Sequence, residues 1–317
     1  MKVPGDPFRL PEDKQQLMKR AKRLAWITIV FMVSIVAVVG LTMGSSEAMK
    51  AVWIEDVLSL VPPVAFLIGT RYFDRPPDAQ FPYGYRRAVM IAFQSAAVAL
   101  LGFGLYILIH SASTLVMAEA PTIQTVSIFG RRVWLGWLMI AALVYSVIPP
   151  LILGRLKQPL ARELHQKALQ TDANMNKGDW LAGGAGVLGI VGVAYGYWWA
   201  DAVAAIIISV EILRDGFADL RNSIAQLMNK RPTDVEGKED EPVPDKVQHQ
   251  LEKLEWVEEA WVRLREDGDV LTGEAFVVPR NESQLLDRLK EARTVAHSVD
   301  WRLHDINIVA VRNLERR

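Results

Sequence analysis

The sequence predicts a membrane-embedded bundle of six transmembrane helices followed by a C-terminal cytoplasmic α+β domain of order αββαβ. Three observations carry this. Apolar runs long enough to span a bilayer recur through residues 24–230. Charge divides the chain: residues 1–231 hold 23 Lys and Arg against 16 Asp and Glu, whereas residues 232–317 hold 13 against 20. Beyond residue 243 the apolar positions change to short helical and alternating patterns. The basic surplus therefore lies with the apolar part, which excludes a single soluble globule and a dedicated nucleic-acid binder. With no cysteine in 317 residues, there is no disulfide framework and no thiolate metal site.

A span needs about 20 apolar residues to cross roughly 30 Å of hydrocarbon. Leu24–Met43 is the first and carries no charge. The polar, basic segment 1–23 precedes it and no small-residue cleavage site follows, so it reads as a span and not as a signal peptide. Ala51–Thr70 is the second, interrupted by Glu55, Asp56 and the pair Pro62-Pro63. Ala88–Ile109 is the third, and Val133–Gly154 the fourth, with Pro149-Pro150 near its end. The Gly-rich run Trp180–Ala200 is the fifth, and the shorter Ala202–Leu213 the sixth. Lys and Arg gather before the first span, between the second and third, between the fourth and fifth, and after the sixth. The opposite side shows only Lys50, Arg131 and Arg132. The positive-inside rule then puts both termini in the cytoplasm.

The stretch 231–243 (RPTDVEGKEDEPV) reads as a linker between the membrane domain, 24–230, and the cytoplasmic domain, 244–317. In the latter, Asp245–Leu254 is helical by pattern, Val257–Arg265 and Val270–Val278 are strands around the turn Asp267-Gly268-Asp269, Asn281–Ser298 is a helix and Trp301–Val311 a final strand. A three-stranded sheet covered on one face leaves edges, which favours pairing with a second copy.

Charged residues inside a membrane are expensive and mark ion or substrate paths. Two clusters stand out. Glu55, Asp56 and Ser59 lie in the second span, Glu55 and Ser59 four apart on one helix face. Asp172, Met175, Asn176 and Asp179 precede the fifth apolar run. If the fifth helix starts near Ala168 on the cytoplasmic side, Asp179 is about 16 Å deep, at 1.5 Å per residue. If the second starts near Glu47 outside, Glu55 is about 12 Å deep. The two clusters then meet near mid-membrane, and Ala194–Ala200 forms the outer turn. The bland alternative puts Glu55 and Asp56 at a helix N-terminus, favoured by its dipole, with Asp172 and Asp179 interfacial and paired with Lys167 and Lys177.

Six spans, cytoplasmic termini, polar clusters in the second and fifth spans and an αββαβ tail together resemble a cation diffusion facilitator. The motif FPYGYRRA (Phe81–Ala88) before the third span and Asp201-Ala202 opening the sixth are similar to that family's pattern. The resemblance implies a homodimer in the lipid bilayer that exports divalent metal ions from the cytoplasm in exchange for protons. It places the metal site on Glu55 and Ser59 of the second span and Met175 and Asp179 of the fifth. Ser59 and Met175 stand where the family has Asp or His. Asp56, Asp172 and Asn176 are additional candidate ligands, and Asn174 offers a second amide oxygen. Mn, Fe, Co, Zn and Mg all remain open as cargo, but an oxygen-rich set leans to Mn²⁺. Met175 is a soft donor or simply packing. The five histidines, His110, His165, His249, His297 and His304, are scattered. The glycines Gly183, Gly184, Gly186, Gly189 and Gly192 permit close helix packing. The alternative is a non-transporting membrane sensor or scaffold with the tail as a dimerisation module. No HExxH, GxSxG or nucleotide loop nominates an enzyme.

Overall fold

The computed structural model describes residues 10–314 except 74, 76, 77, 120–122, 129 and 130; of 72, 73, 88, 89, 92, 128, 131 and 174–179 it describes the backbone alone. The first part is built from α1 (Glu12–Thr42), α2 (Glu47–Leu58), α3 (Val61–Phe73), α4 (Ala88–Val116), α5 (Leu135–Leu164), α6 (Lys167–Ala194) and α7 (Ala200–Leu227). Among the described residues, four stretches are long and apolar enough to cross a membrane: Glu12–Thr42, Glu47–Arg71, Phe93–Val116 and Leu135–Leu164. The apolar part of α6, Trp180–Ala194, is shorter.

Helix ends differ from the hydropathy edges for physical reasons. α1 and α5 continue well past their apolar runs into polar turns, because a helix gains one backbone bond per residue whatever its side chains. α5 passes through Pro149 and Pro150 to Leu164; packed neighbours tolerate prolines within such helices. α6 starts at Lys167, within a residue of the expected Ala168, and includes the polar stretch before Trp180. α7 opens at Ala200 and runs past Glu211, Arg214 and Asp215, the charges at which the hydropathy reading stops. A hairpin that the sequence did not suggest, β1 (Thr125–Ile128) with β2 (Arg131–Trp134), joins α4 to α5, with Val126 opposite Val133.

α6 is wedged between α5, α7 and α2, and its glycines make the room. A Cβ at Gly183 would lie 2.6 Å from Val147 of α5. One at Gly186 would meet Leu143 of α5 and Val52 of α2, and one at Gly189 would be 2.8 Å from the Ala204 Cβ of α7. Met49, Met139, Leu143, Ile190 and Ile208 fill the main core between these helices. Met18, Ala25, Phe66, Leu164 and Leu169 form a smaller one.

The tail is α8 (Val243–Glu252), β3 (Val257–Asp267), β4 (Val270–Pro279), α9 (Leu285–Val299) and β5 (Leu303–Ala310). β3 and β4 pair antiparallel, β4 and β5 parallel, in the order β3-β4-β5. The irregularity in the first strand's alternation is a register shift between Val257 and Glu259. Ala260, Val262, Leu264, Ala275, Val277 and Ile306 pack beneath Val247 and Leu251 of α8 and Ala292 and Ala296 of α9. The opposite face carries a cross-strand row of Trp261, Phe276 and Val309, with the Arg263 guanidinium 5.2 Å above the Phe276 ring.

The β3–β4 turn docks the tail against the helices. Gly268 takes φ +65°, and a side chain there would crowd the Arg86 backbone. Lys167, at the start of α6, donates to Glu266 at 2.6 and 2.8 Å. Arg87 Nε donates to Asp267 at 3.3 Å and its guanidinium reaches Asn229 Oδ1 at 2.8 Å. Burial raises the Asp269 carboxyl to about 6, against the opposing effect of a hydrogen bond with Gln166. The stretch 231–243 joins the same contact: Thr233 N donates to Glu266 Oε1 at 3.2 Å, and Arg162 donates to Glu236 at 2.8 Å.

Two outcomes are expected. Gly189→Leu pushes α6 off α7 and lowers stability by about 1–3 kcal/mol, the usual cost of overpacking; thermal unfolding in detergent measures it. Because the Asp269 carboxyl is raised when docked, this group favours docking most below its ordinary 3.8 and progressively less as pH rises towards about 6. Asp269→Asn should flatten that part of the pH dependence, read as hydrogen exchange of the Glu266–Val270 amides between pH 4 and 7.

Candidate metal centre

The position of the second-span carboxylates is set at the far end of α2. Ser46 caps the helix, its Oγ accepting from Met49 N at 3.1 Å. The Ser46 hydroxyl donates to Asp201 Oδ1 and the Glu47 amide to Asp201 Oδ2, both at 2.6 Å. Asp201, 1% exposed, thus ties the first residue of α7's acidic opening to the positive end of α2, where a carboxylate is favoured. Trp53 Nε1 donates to Val36 O at 3.0 Å and fixes the rotation against α1.

With α2 starting at Glu47, Glu55 and Asp56 fall in its last turn. The alternative that they occupy a helix N-terminus is therefore overturned: they sit at the negative end. Asp56 and Ser59 are buried and Glu55 half-buried. The Ser59 Oγ is enclosed without a hydrogen-bond partner. Two carboxylates and a hydroxyl thus lie on the turn where the helix dipole is negative.

α6 brings the second cluster alongside. Gly186 packs against Val52, and the two helices run in opposite directions. Seven residues on from Val52 in α2 and seven back from Gly186 in α6 bring Ser59 and residue 179 to about the same level, at 1.5 Å per residue. Met175, Asn176 and Asp179 belong to α6 by backbone, but their side chains lie outside the described residues. Among the described residues no group of three His, Asp or Glu side chains is close enough to hold a metal ion.

Asp172 takes a partner that the interfacial alternative did not name. Lys157 of α5, fully buried, donates to Asp172 Oδ2 at 2.5 Å. Lys167 is engaged by Glu266, so the suggested interfacial pairing of Asp172 with Lys167 does not occur. Of the histidines, His297 Nδ1 lies 2.9 Å from Leu303 O and His110 Nε2 3.5 Å from Glu47 Oε2, both local structural contacts.

One feature of the sequence escaped notice. Glu211, Asp215 and Asp219 recur every four residues along one edge of α7. Ala204 packs on Gly189, so Glu211, seven residues further in, is about level with Ala182 and Asp56. Asp219 lines a cleft of about 150 Å³ with Thr171, Lys167, Asn222, Glu236 and Glu266. The four-residue spacing of acids was the available signal; it lay across and beyond the edge of the sixth apolar run.

Residues 23–228 match the family model described as the cation efflux transmembrane domain. The chain is 28% identical over 178 residues to the manganese efflux system protein MneS of Bacillus subtilis (strain 168), a match covering 56% of this chain and 57% of MneS. It is 26% identical over 228 residues to the manganese efflux system protein MneP of the same organism, covering 70% and 72%. To the magnetosome protein MamM of Paramagnetospirillum magneticum it is 27% identical over 197 residues, covering 61% and 57%. The matches to MneS and MamM thus cover less than two thirds of those proteins.

The buried ion pair yields an expected outcome of its own. Removing one partner leaves an uncompensated buried charge, so Lys157→Met or Asp172→Leu alone should cost about 3–5 kcal/mol. The double variant Lys157→Met/Asp172→Leu should recover much of that loss. Unfolding midpoints of the three variants measure the coupling; simple additivity would show that the pair is not a unit.

Proposed function

This chain belongs to the cation efflux family, the cation diffusion facilitators, and on that premise we propose that it exports a divalent metal cation from the cytoplasm in exchange for protons. The observation that carries the reading is the acidic end of α2: Glu55 and Asp56, with buried Ser59, at the negative pole of a helix. Such a cluster in a low-dielectric setting is neutralised either by a metal ion or by protons, and the alternation between the two is the coupling an antiporter needs. Glu55, Ser59, Met175 and Asp179 form the centre, with Asp56 and Asn176 in reserve, while Asp172 holds α6 to α5 through Lys157. Oxygen donors favour Mn²⁺ among the transition metals considered, in keeping with the names of MneS and MneP.

In this reading α1, α2 with α3, α4, α5, α6 and α7 make six crossings, and both termini are cytoplasmic. Cytoplasmic ions enter past Asp219, Asp215 and Glu211. Two copies associate through the open face of the tail sheet, where Trp261 and Val309 are 47% and 37% exposed and form with Phe276 an apolar row that a partner would cover.

Vesicles containing the purified protein and a pH gradient provide the test. Mn²⁺ should enter with release of protons, ahead of Zn²⁺ and Mg²⁺. Glu55→Gln and Asp179→Asn keep shape and remove charge, so each should reduce flux to background with expression unchanged. Met175→Leu should alter metal preference or do little. Near-normal flux by Asp179→Asn would reject the site, and no flux of any metal in the parent protein would favour a sensor or scaffold.

A further inference from the structure

We propose that the double proline behind α2 makes the backbone part of the cation site: the carbonyl oxygens of Leu58 and Ser59, with the Ser59 hydroxyl, act as ligands that select a hard cation. The inference deepens the transport reading above and rests on it.

In a continuous helix the carbonyl of residue i accepts from the amide of residue i+4. For Leu58 and Ser59 those residues are Pro62 and Pro63, which have no amide hydrogen. The backbone bonds around the break step past both oxygens. Ser59 N donates back to Glu55 O at 2.8 Å, Leu60 N to Val57 O at 3.3 Å, and α3 resumes with Val64 N to Leu60 O at 3.3 Å. At membrane depth a carbonyl left without a donor costs several kcal/mol unless it faces a cavity or a ligand.

The break is also one-sided. An interrupted helix ordinarily presents acceptors from one half and amide donors from the other, and the donors would repel a metal ion. Here Pro62 and Pro63 occupy the second and third positions of α3 and remove two of its leading donors. What remains at the junction is the negative end of α2 with little positive counterpart.

The Ser59 hydroxyl is the independent witness. It is 94% buried, being 6% exposed, and among the described residues has no hydrogen-bond partner. Ser146, Ser209 and Ser223, also buried, each donate to a carbonyl three or four residues back, at 2.9, 2.6 and 3.0 Å, whereas Ser111 of α4 shares with Ser59 the lack of a partner among the described residues. The hydroxyl and one of the two carbonyls belong to the same residue and the other carbonyl to its neighbour, four residues or fewer from Glu55 and, by helix rise, at about the level of residue 179. Neutral oxygens of this kind suit Mn²⁺, Mg²⁺ or Ca²⁺ and give little to thiophilic ions such as Cd²⁺. Pro62 and Pro63 thereby become specificity-determining residues although neither offers a ligand atom.

Restoring the amides tests this. In Pro62→Ala/Pro63→Ala the helix closes and consumes both carbonyls. Mn²⁺ and Cd²⁺ binding to the purified full-length protein is read by titration calorimetry, beside the parent and Glu55→Gln. Mn²⁺ affinity should fall roughly 10–100-fold, the usual cost of disturbing groups around a metal, and Cd²⁺ affinity markedly less. Pro62→Gly/Pro63→Gly restores the same amides with a looser chain and should shift the ratio in the same direction; it carries the test if the alanine pair fails to fold. An unchanged Mn²⁺/Cd²⁺ ratio in the folded proline variants, with Glu55→Gln abolishing binding, overturns the carbonyl ligands and leaves the site standing. Full Mn²⁺ binding by Glu55→Gln overturns the site itself and the carbonyl ligands with it.

Discussion

Inside a bilayer each backbone carbonyl needs a donor, and α2 stops where two of them lose theirs. That constraint organises the membrane part of this protein. A helix that ended at the surface would hand its last carbonyls to water; α2 ends at Leu58 with α3 following directly. Its last turn also carries Glu55 and Asp56, whose charge adds to the negative pole instead of offsetting it.

Much of the surrounding packing holds that turn at a fixed depth. Asp201 grips the first residues of α2 from the start of α7, with both carboxylate oxygens engaged. Trp53 stops the helix rotating against α1. Opposite, α6 approaches closely because it presents glycine to each neighbour in turn: Gly183 to α5, Gly186 to α5 and α2, Gly189 to α7. The Lys157–Asp172 pair then sets the rise of α6 relative to α5. A buried pair of this kind contributes little net stability but strongly penalises any register that separates it. The glycines allow sliding and the ion pair specifies where sliding stops.

The tail is tied to the same helix. Gln166 and Lys167 at the start of α6 meet Asp269 and Glu266 of the β3–β4 turn, while the FPYGYRRA segment reaches the turn through Arg86 and Arg87. The tail therefore contacts the first residues of α6, the helix to which Asp179 belongs by backbone.

The sequence by itself determined the broad plan: apolar runs are long because the hydrocarbon is thick, and the strands of the tail alternate because one face is covered. Spacing also grouped Glu55 with Ser59 and Asp172 with Asn176 and Asp179 on single helix faces, since helical periodicity is a local property. It did not reveal that α6 includes the polar stretch before Trp180 by composition; helix geometry and depth did, because hydropathy reads side chains whereas a helix is a backbone structure. Whether Glu55 and Asp56 lie at a positive or negative helix end depended on where α2 begins, and that is decided by Asp201, some 150 residues away, through two hydrogen bonds. The partner of Asp172 likewise came from α5 and not from the neighbouring lysines, because side chains on adjacent helices approach more closely than the chain's own order suggests. Tertiary structure decided these points for one reason: a buried charge is satisfied by whatever packing brings within reach, and reach is not written in sequence distance.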